Sequence, residues 1–237
     1  MEINSNKWSL SLDLDGGRIK DLKFDNIPVL GTYKRVDGKM GNTHICAPSF
    51  DKEGKEKYNL PFHGHARTLI WDGSHLSENT IEIRAKTPTT STYQAQLELI
   101  QRFTLGKTFK HDVEIKHIDG EEVPVNIGIH YYWDTPQGWH SSTLNNQPLM
   151  PYISSNGYLD LTQKNNIVFP HATYEMVVSG IHTAALWTAF NTADHLYNNE
   201  FCCIEPIIKW PGYFGKPESF IKPRESVSVS VELQKVV

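Results

Sequence analysis

Apolar and polar residues alternate with a period of two along most of the chain. Residues 8–14 place Trp8, Leu10, Leu12 and Leu14 against Ser9, Ser11 and Asp13, the pattern of a half-buried strand. Asp15-Gly16-Gly17 then turns the chain into residues 18–24, which predicts a hairpin. Two long alternating runs follow at 93–105 and 109–118, joined by Gly106-Lys107, the sign of a meander. Residues 226–233, with Val227, Val229, Val231 and Leu233, alternate most cleanly of all. Shorter β runs are predicted at 26–30, 41–50, 80–87, 123–132, 158–161, 167–169, 174–179, 184–190 and 201–205. Residues 51–57 read as a solvated charged loop, 71–73 as a turn and 134–146 as a polar and aromatic loop. No segment sustains a helical period with caps. No composition break marks a linker and no fixed-period repeat occurs. The pattern predicts an all-β protein, one large antiparallel domain over residues 1–237, built as a sandwich or barrel.

Composition narrows the function classes. The 237 residues carry a formal net charge of -4 and a 21% charged share, with no basic surplus to meet nucleic acid. No run of about 18 apolar residues exists to span a membrane. The opening residues 1–7 lack the basic-then-apolar build of a secretion signal. The three cysteines, Cys46, Cys202 and Cys203, follow no zinc-ribbon or redox spacing. Reduced thiols in a cytoplasmic protein are the expectation.

Three stretches concentrate chemistry. Leu60-Pro61-Phe62-His63-Gly64-His65-Ala66-Arg67 sets His63, His65 and Arg67 at alternate positions, so extended backbone would point all three to one side. In residues 125–133, Val125, Ile127 and Ile129 form an apolar face. The other face then carries Asn126, Gly128, His130 and Tyr132. Glu205 follows four apolar residues and precedes Pro206, which is expected to end the pairing there. A carboxylate in that setting needs a partner or a task. Each signal alone also has a structural reading. The histidines can be hydrogen-bonded core residues, Arg67 an ion-pair partner for Glu205, and His63 with His65 a metal-binding pair.

In combination and order, Leu-Pro-x-His-Gly-x-Ala-Arg, Gly-x-His-x-Tyr and Cys-x-Glu-Pro resemble the aldose 1-epimerase (galactose mutarotase-like) superfamily. Residues 45–48 and 60–71 are most similar to its hexose-6-phosphate mutarotase branch. The resemblance implies a β-supersandwich and the interconversion of α and β anomers of a monosaccharide or sugar phosphate, without metal or organic cofactor. It further implies Glu205 as base, His130 as acid and His63 as an assisting hydrogen-bonding group. Arg67, His65, Asp160, Trp133 and Tyr132 become candidate substrate contacts.

Departures from the family pattern carry expectations of their own. His130-Tyr131-Tyr132-Trp133 stands where the family has His-Pro-Tyr-Phe, which predicts a reshaped cleft beside the acid. Pro48-Ser49-Phe50-Asp51 lacks the arginine typical of the sugar-phosphate branch, leaving Arg67 as the main anion contact. Trp133, Trp139, Trp210, Tyr213 and Phe214 are candidate sugar-stacking residues, whereas Trp8, Trp71 and Trp187 are expected in the core. Two other classes fit less of the pattern. One is a carbohydrate-binding module on the same fold without turnover. The other is a cupin-like metal protein built on His63 and His65.

Overall fold

The computed structural model of the protein describes residues 1–191 and 195–236. Two antiparallel sheets of nine strands each carry most of the chain. One runs from the N-terminal hairpin strands Trp8–Asp13 and Arg18–Phe24, through Ile27–Leu30, to Gly128–Asp134, Phe201–Ile207, Thr183–Trp187 and the edge strand Tyr158–Asp160. The other contains the long meander Thr80–Lys86, Ala95–Leu105 and Phe109–Gly120, with Ser226–Val236 and Ala172–Ser179 beside it. The inward faces of both sheets merge into one apolar cluster, as the alternation requires. Trp8 packs against Phe109, and Trp133 against Tyr174, from one sheet to the other. Of the sandwich or barrel that the alternation left open, the sandwich is the fold observed.

Several local expectations fail for identifiable reasons. Residues 51–57 are not simply loop. Glu53–Tyr58 is a short α-helix closed by Asn59 at φ 50°, and Met150–Ser154 is another. Helices this short show no readable period. Residues 72–77 form an edge strand, Asp72–Ser77, exposed at every position; with no buried face, it has no alternation to read. The predicted strand at 123–132 breaks in two, Val123–Pro124 and Gly128–Asp134. Pro206 does not end the Glu205 strand, which continues to Ile207 with Pro206 opposite Ala184 and Ile207 opposite Thr183.

Candidate active site

Strand alternation builds the floor of a cleft on the outer face of the first sheet. In Gly128–Asp134, Ile129, Tyr131 and Trp133 turn inward to the core, so His130 and Tyr132 point outward. In Phe201–Ile207 the inward residues are Cys202 and Ile204, leaving Cys203 and Glu205 on the outer face. The register sets His44 opposite His130, Tyr132 opposite Cys203, and Ala185 opposite Glu205. His130 and Glu205 meet across neighbouring strands, with Nε2 of the imidazole 3.5 Å from Oε1 of the carboxyl. His130 is 5% exposed and Glu205 3%.

The segment 60–67 reaches this floor by a different route from the extended one predicted. His63 and Gly64 have φ of 64° and 73°. The His63 N–H donates to the Asp51 carbonyl at 3.0 Å, and Gly64 N–H to that of Pro61 at 2.8 Å. Ala66–Thr68 then forms a 3-10 turn. A Cβ at Gly64 would lie 2.1 Å from the Ala47 oxygen, so this bend requires glycine both for its left-handed φ and for its close approach. The bend separates what sequence alternation had put together. His63 and Arg67 line the cleft, while His65 lies outside the lining. The His63 ring centre is 5.5 Å from that of His130 and 6.0 Å from that of His44. In the cleft His63 is thus grouped with His130 and His44, not with His65.

The cleft has a volume of about 610 Å³, within the range of about 300–1,000 Å³ usual for small-molecule sites. Its lining includes residues that were not candidate contacts on sequence: Arg35, His44, Phe50, Asp51 and Lys52. The charge of Asp51 and Lys52 predicts only a solvated loop, and Arg35 sits just beyond the short strand Thr32–Lys34. Trp187, expected in the core, forms a wall, with the Arg35 guanidinium 4.8 Å from its ring centre. Trp210 also lines the cleft, beside Phe50.

Other candidates lie elsewhere. Trp133 is 0% exposed and packs against Phe169 and Tyr174 in the core, because position 133 has the inward parity. For the same reason Tyr131 faces the core, where its hydroxyl meets His111 at 3.1 Å. The aromatic bulk at 131 and 133 thus alters the core and not the cleft; only Tyr132 lies beside the imidazole, its ring 4.8 Å from that of His130. Trp139 is buried, its Nε1–H donating to the Asn198 carbonyl at 2.7 Å. Asp160 is exposed on the edge strand and, like Tyr213 and Phe214, lies outside the lining. Arg67 is not the partner of Glu205; its side chain lies over Phe62, 5.8 Å from the ring centre.

Burial sets the electrostatics. It pushes the Glu205 carboxyl well above the usual carboxylate range, and the Asp51 charge adds to this. It holds His130 well below the ordinary imidazole value, reinforced by His44, His63, Arg67 and Arg35. The same desolvation lowers His63 to about 2 and His44 to about 4. At neutral pH the site therefore holds uncharged imidazoles beside a carboxyl disposed to keep its proton. The His44 Nδ1–H donates to the Asn42 carbonyl at 2.8 Å, which leaves Nε2 as the bare nitrogen. Among the described residues, buried Nε2 of His44, Nδ1 of His63 and of His130, and Oε2 of Glu205 have no hydrogen-bond partner. Buried polar atoms left unpaired in a cleft are groups awaiting a ligand.

A family model described as aldose 1-epimerase matches residues 22–168. The chain belongs to the aldose 1-epimerase family. The match takes in the cleft-lining segments from Arg35 to Arg67 and the His130 strand. No curated protein matches the chain significantly. Among solved structures, a galactose mutarotase-like protein from Lactobacillus casei ATCC 334 superposes with a TM-score of 0.78 at 14% identity, over 100% of this chain and 99% of that one. A galactose mutarotase related enzyme from Lactobacillus acidophilus gives 0.77 at 13% identity, over 100% and 97%. A galactose mutarotase-like protein from Clostridium acetobutylicum gives 0.74 at 14%, over 99% and 94%. At these identities the likeness is one of fold. It agrees with the β-supersandwich expected from the motifs.

Proposed function

We propose that the protein is an aldose 1-epimerase that interconverts the anomers of a monosaccharide or sugar phosphate, with Glu205 and His130 as its acid–base pair. The observation that carries this reading is their 3.5 Å approach at the floor of the cleft. Glu205 takes the proton of the C1 hydroxyl while His130 gives its Nε2 proton to the ring oxygen. The bond between C1 and the ring oxygen breaks, and C1 becomes the aldehyde carbon. Rotation about C1–C2 and the reverse transfers close the ring on the other face. One proton moves from imidazole to carboxyl on opening and returns on closing, so the site ends as it began. Burial favours the neutral form of the pair, which is the form present once the ring has opened. The ionised form needed at the start has the same number of protons.

His63, uncharged and facing the cleft, hydrogen-bonds the sugar near C1. Tyr132 bounds the site beside His130, and Arg67 anchors a hydroxyl or a phosphate. Replacing Glu205 by Gln or His130 by Asn should lower the anomerisation rate about 10²- to 10⁴-fold, followed by polarimetry or exchange NMR on folded variants. An unchanged rate in Glu205→Gln removes the assignment. The preference of the buried pair for its neutral form favours a second reading, a sugar-binding module without turnover. Calorimetric binding of a sugar with no acceleration of anomer exchange in the unaltered protein would select it.

A further inference from the structure

One buried side chain beneath the cleft floor, packed with Tyr132 and Phe201, has no part in the acid–base chemistry. Cys203 shares the outward parity of Glu205 and sits in the register opposite both Tyr132 and Trp187. A ligand atom each from His130, Cys203 and Glu205 lies within 4.8 Å of the others, and all three residues are buried. We propose that these three side chains form a binding site for a soft divalent transition-metal ion of the zinc type, through His130 Nε2, the Glu205 carboxylate and the Cys203 thiolate.

Geometry supports this first. Zinc bonds of about 2.0–2.3 Å in tetrahedral array place neighbouring ligand atoms about 3.3–3.8 Å apart. The 3.5 Å between Nε2 and Oε1 falls inside that interval, so one edge of the polyhedron exists without movement. The sulfur, within 4.8 Å of the other two ligand atoms, completes a face with a shift of about 1 Å. All three ligands stand on paired strands of one sheet, a rigid support for a metal site. A second observation is independent of the spacing: Oε2 of Glu205 is buried and has no partner among the described residues.

Chemistry selects the ion. A thiolate beside an imidazole favours zinc-like ions over magnesium or calcium, which prefer oxygen alone. Thiolate and carboxylate together carry two negative charges, so a divalent ion leaves the buried cluster neutral. Binding replaces the thiol proton of Cys203 and the proton held by Glu205, and both pass to solvent; affinity therefore rises with pH. Because the ion occupies His130 and Glu205, it blocks anomerisation. That consequence rests on the proposed function, whereas binding does not.

The test uses the full chain freed of metal and titrated with cobalt(II), then zinc(II). One equivalent of cobalt should bind with a thiolate-to-cobalt charge-transfer band, and zinc should abolish the band. Cys203→Ser should lose the band and bind zinc about tenfold or more weakly, that is, by about 1.4 kcal/mol or more. Cys46→Ser, on the strand paired at Gly128 and separated from the Cys203 strand by Gly128–Asp134, should keep both. X-ray absorption at the zinc edge of the unaltered protein should show one sulfur and at least two nitrogen or oxygen neighbours, a measurement that needs no variant. No band in the unaltered protein, a band retained in Cys203→Ser, or a zinc shell without sulfur overturns the proposal. Anomerase activity is read separately. A metal-free protein that is active but has no such site defeats the metal proposal alone, and one that is inactive when metal-free yet binds zinc through Cys203 defeats the proposed function alone.

Discussion

His44 stands opposite His130 in the strand register, and their ring centres are 5.0 Å apart. Two imidazoles this close and this buried cannot both be charged cheaply. His44 is held to about 4 and His63 to about 2, and His111 in the inter-sheet core to about 3, chiefly by burial. Each takes a proton in the unfolded chain near pH 6.5 but only at lower pH when folded. Their contribution to stability is complete above about pH 6.5 and is lost as the pH falls toward each folded value, at about 1.4 kcal/mol per unit per group. Urea midpoints should therefore drop between pH 7 and pH 5, and His44→Asn should show a shallower drop.

Glu205 works in the opposite sense. Its raised value keeps the proton on in the folded protein while the unfolded chain ionises above about pH 4.3. Stability is lost as the pH rises from there toward the folded value. Glu205→Gln should thus stabilise the protein at neutral pH, by about 1 kcal/mol or 2–4 °C in Tm, while removing activity. Calorimetric melts at pH 7 check this; a lower Tm in the variant would contradict the raised value.

Gly64→Ala tests the bend that delivers His63. The new Cβ meets the Ala47 oxygen and the residue is forced into φ 73°, a combined cost of at least about 1–3 kcal/mol. Expected are a lower Tm and, in the folded fraction, a loss of activity comparable with that of His63→Ala.

Tryptophans separate core from cleft. Trp133→Ala should cost about 3–5 kcal/mol by leaving a core cavity, measured by denaturant unfolding. Trp210→Ala, at the cleft wall, should leave stability within about 1 kcal/mol and raise KM for the sugar. A reversal of the two outcomes would contradict the strand parity described above.

Arg67→Met addresses the substrate. If the sugar carries a phosphate, losing a charge-assisted contact of about 1.5–3 kcal/mol raises KM roughly 10- to 150-fold for the phosphorylated sugar and much less for the free one. Arg35 and Lys52 also line the cleft, so the same comparison with Arg35→Met shows which cation meets the anion. Equal KM changes for both sugars would assign Arg67 to a hydroxyl.

Periodicity of two is a local property, so the sequence alone determined the all-β antiparallel class, the inward and outward parity of the His130 strand, and the segments in which the cleft chemistry lies. Even there, the residue type of Trp133 suggests a sugar contact while its parity turns it into the core. Tertiary structure alone decided which segments meet. The left-handed turn at His63 and Gly64 kept His63 and Arg67 in the cleft and put His65 outside it. The register brought in His44, and the loops carrying Arg35, Asp51 and Lys52 closed the walls. A side chain's neighbours across strands depend on register and on bends set by contacts distant in sequence, such as Gly64 against Ala47, and no single stretch of residues encodes those.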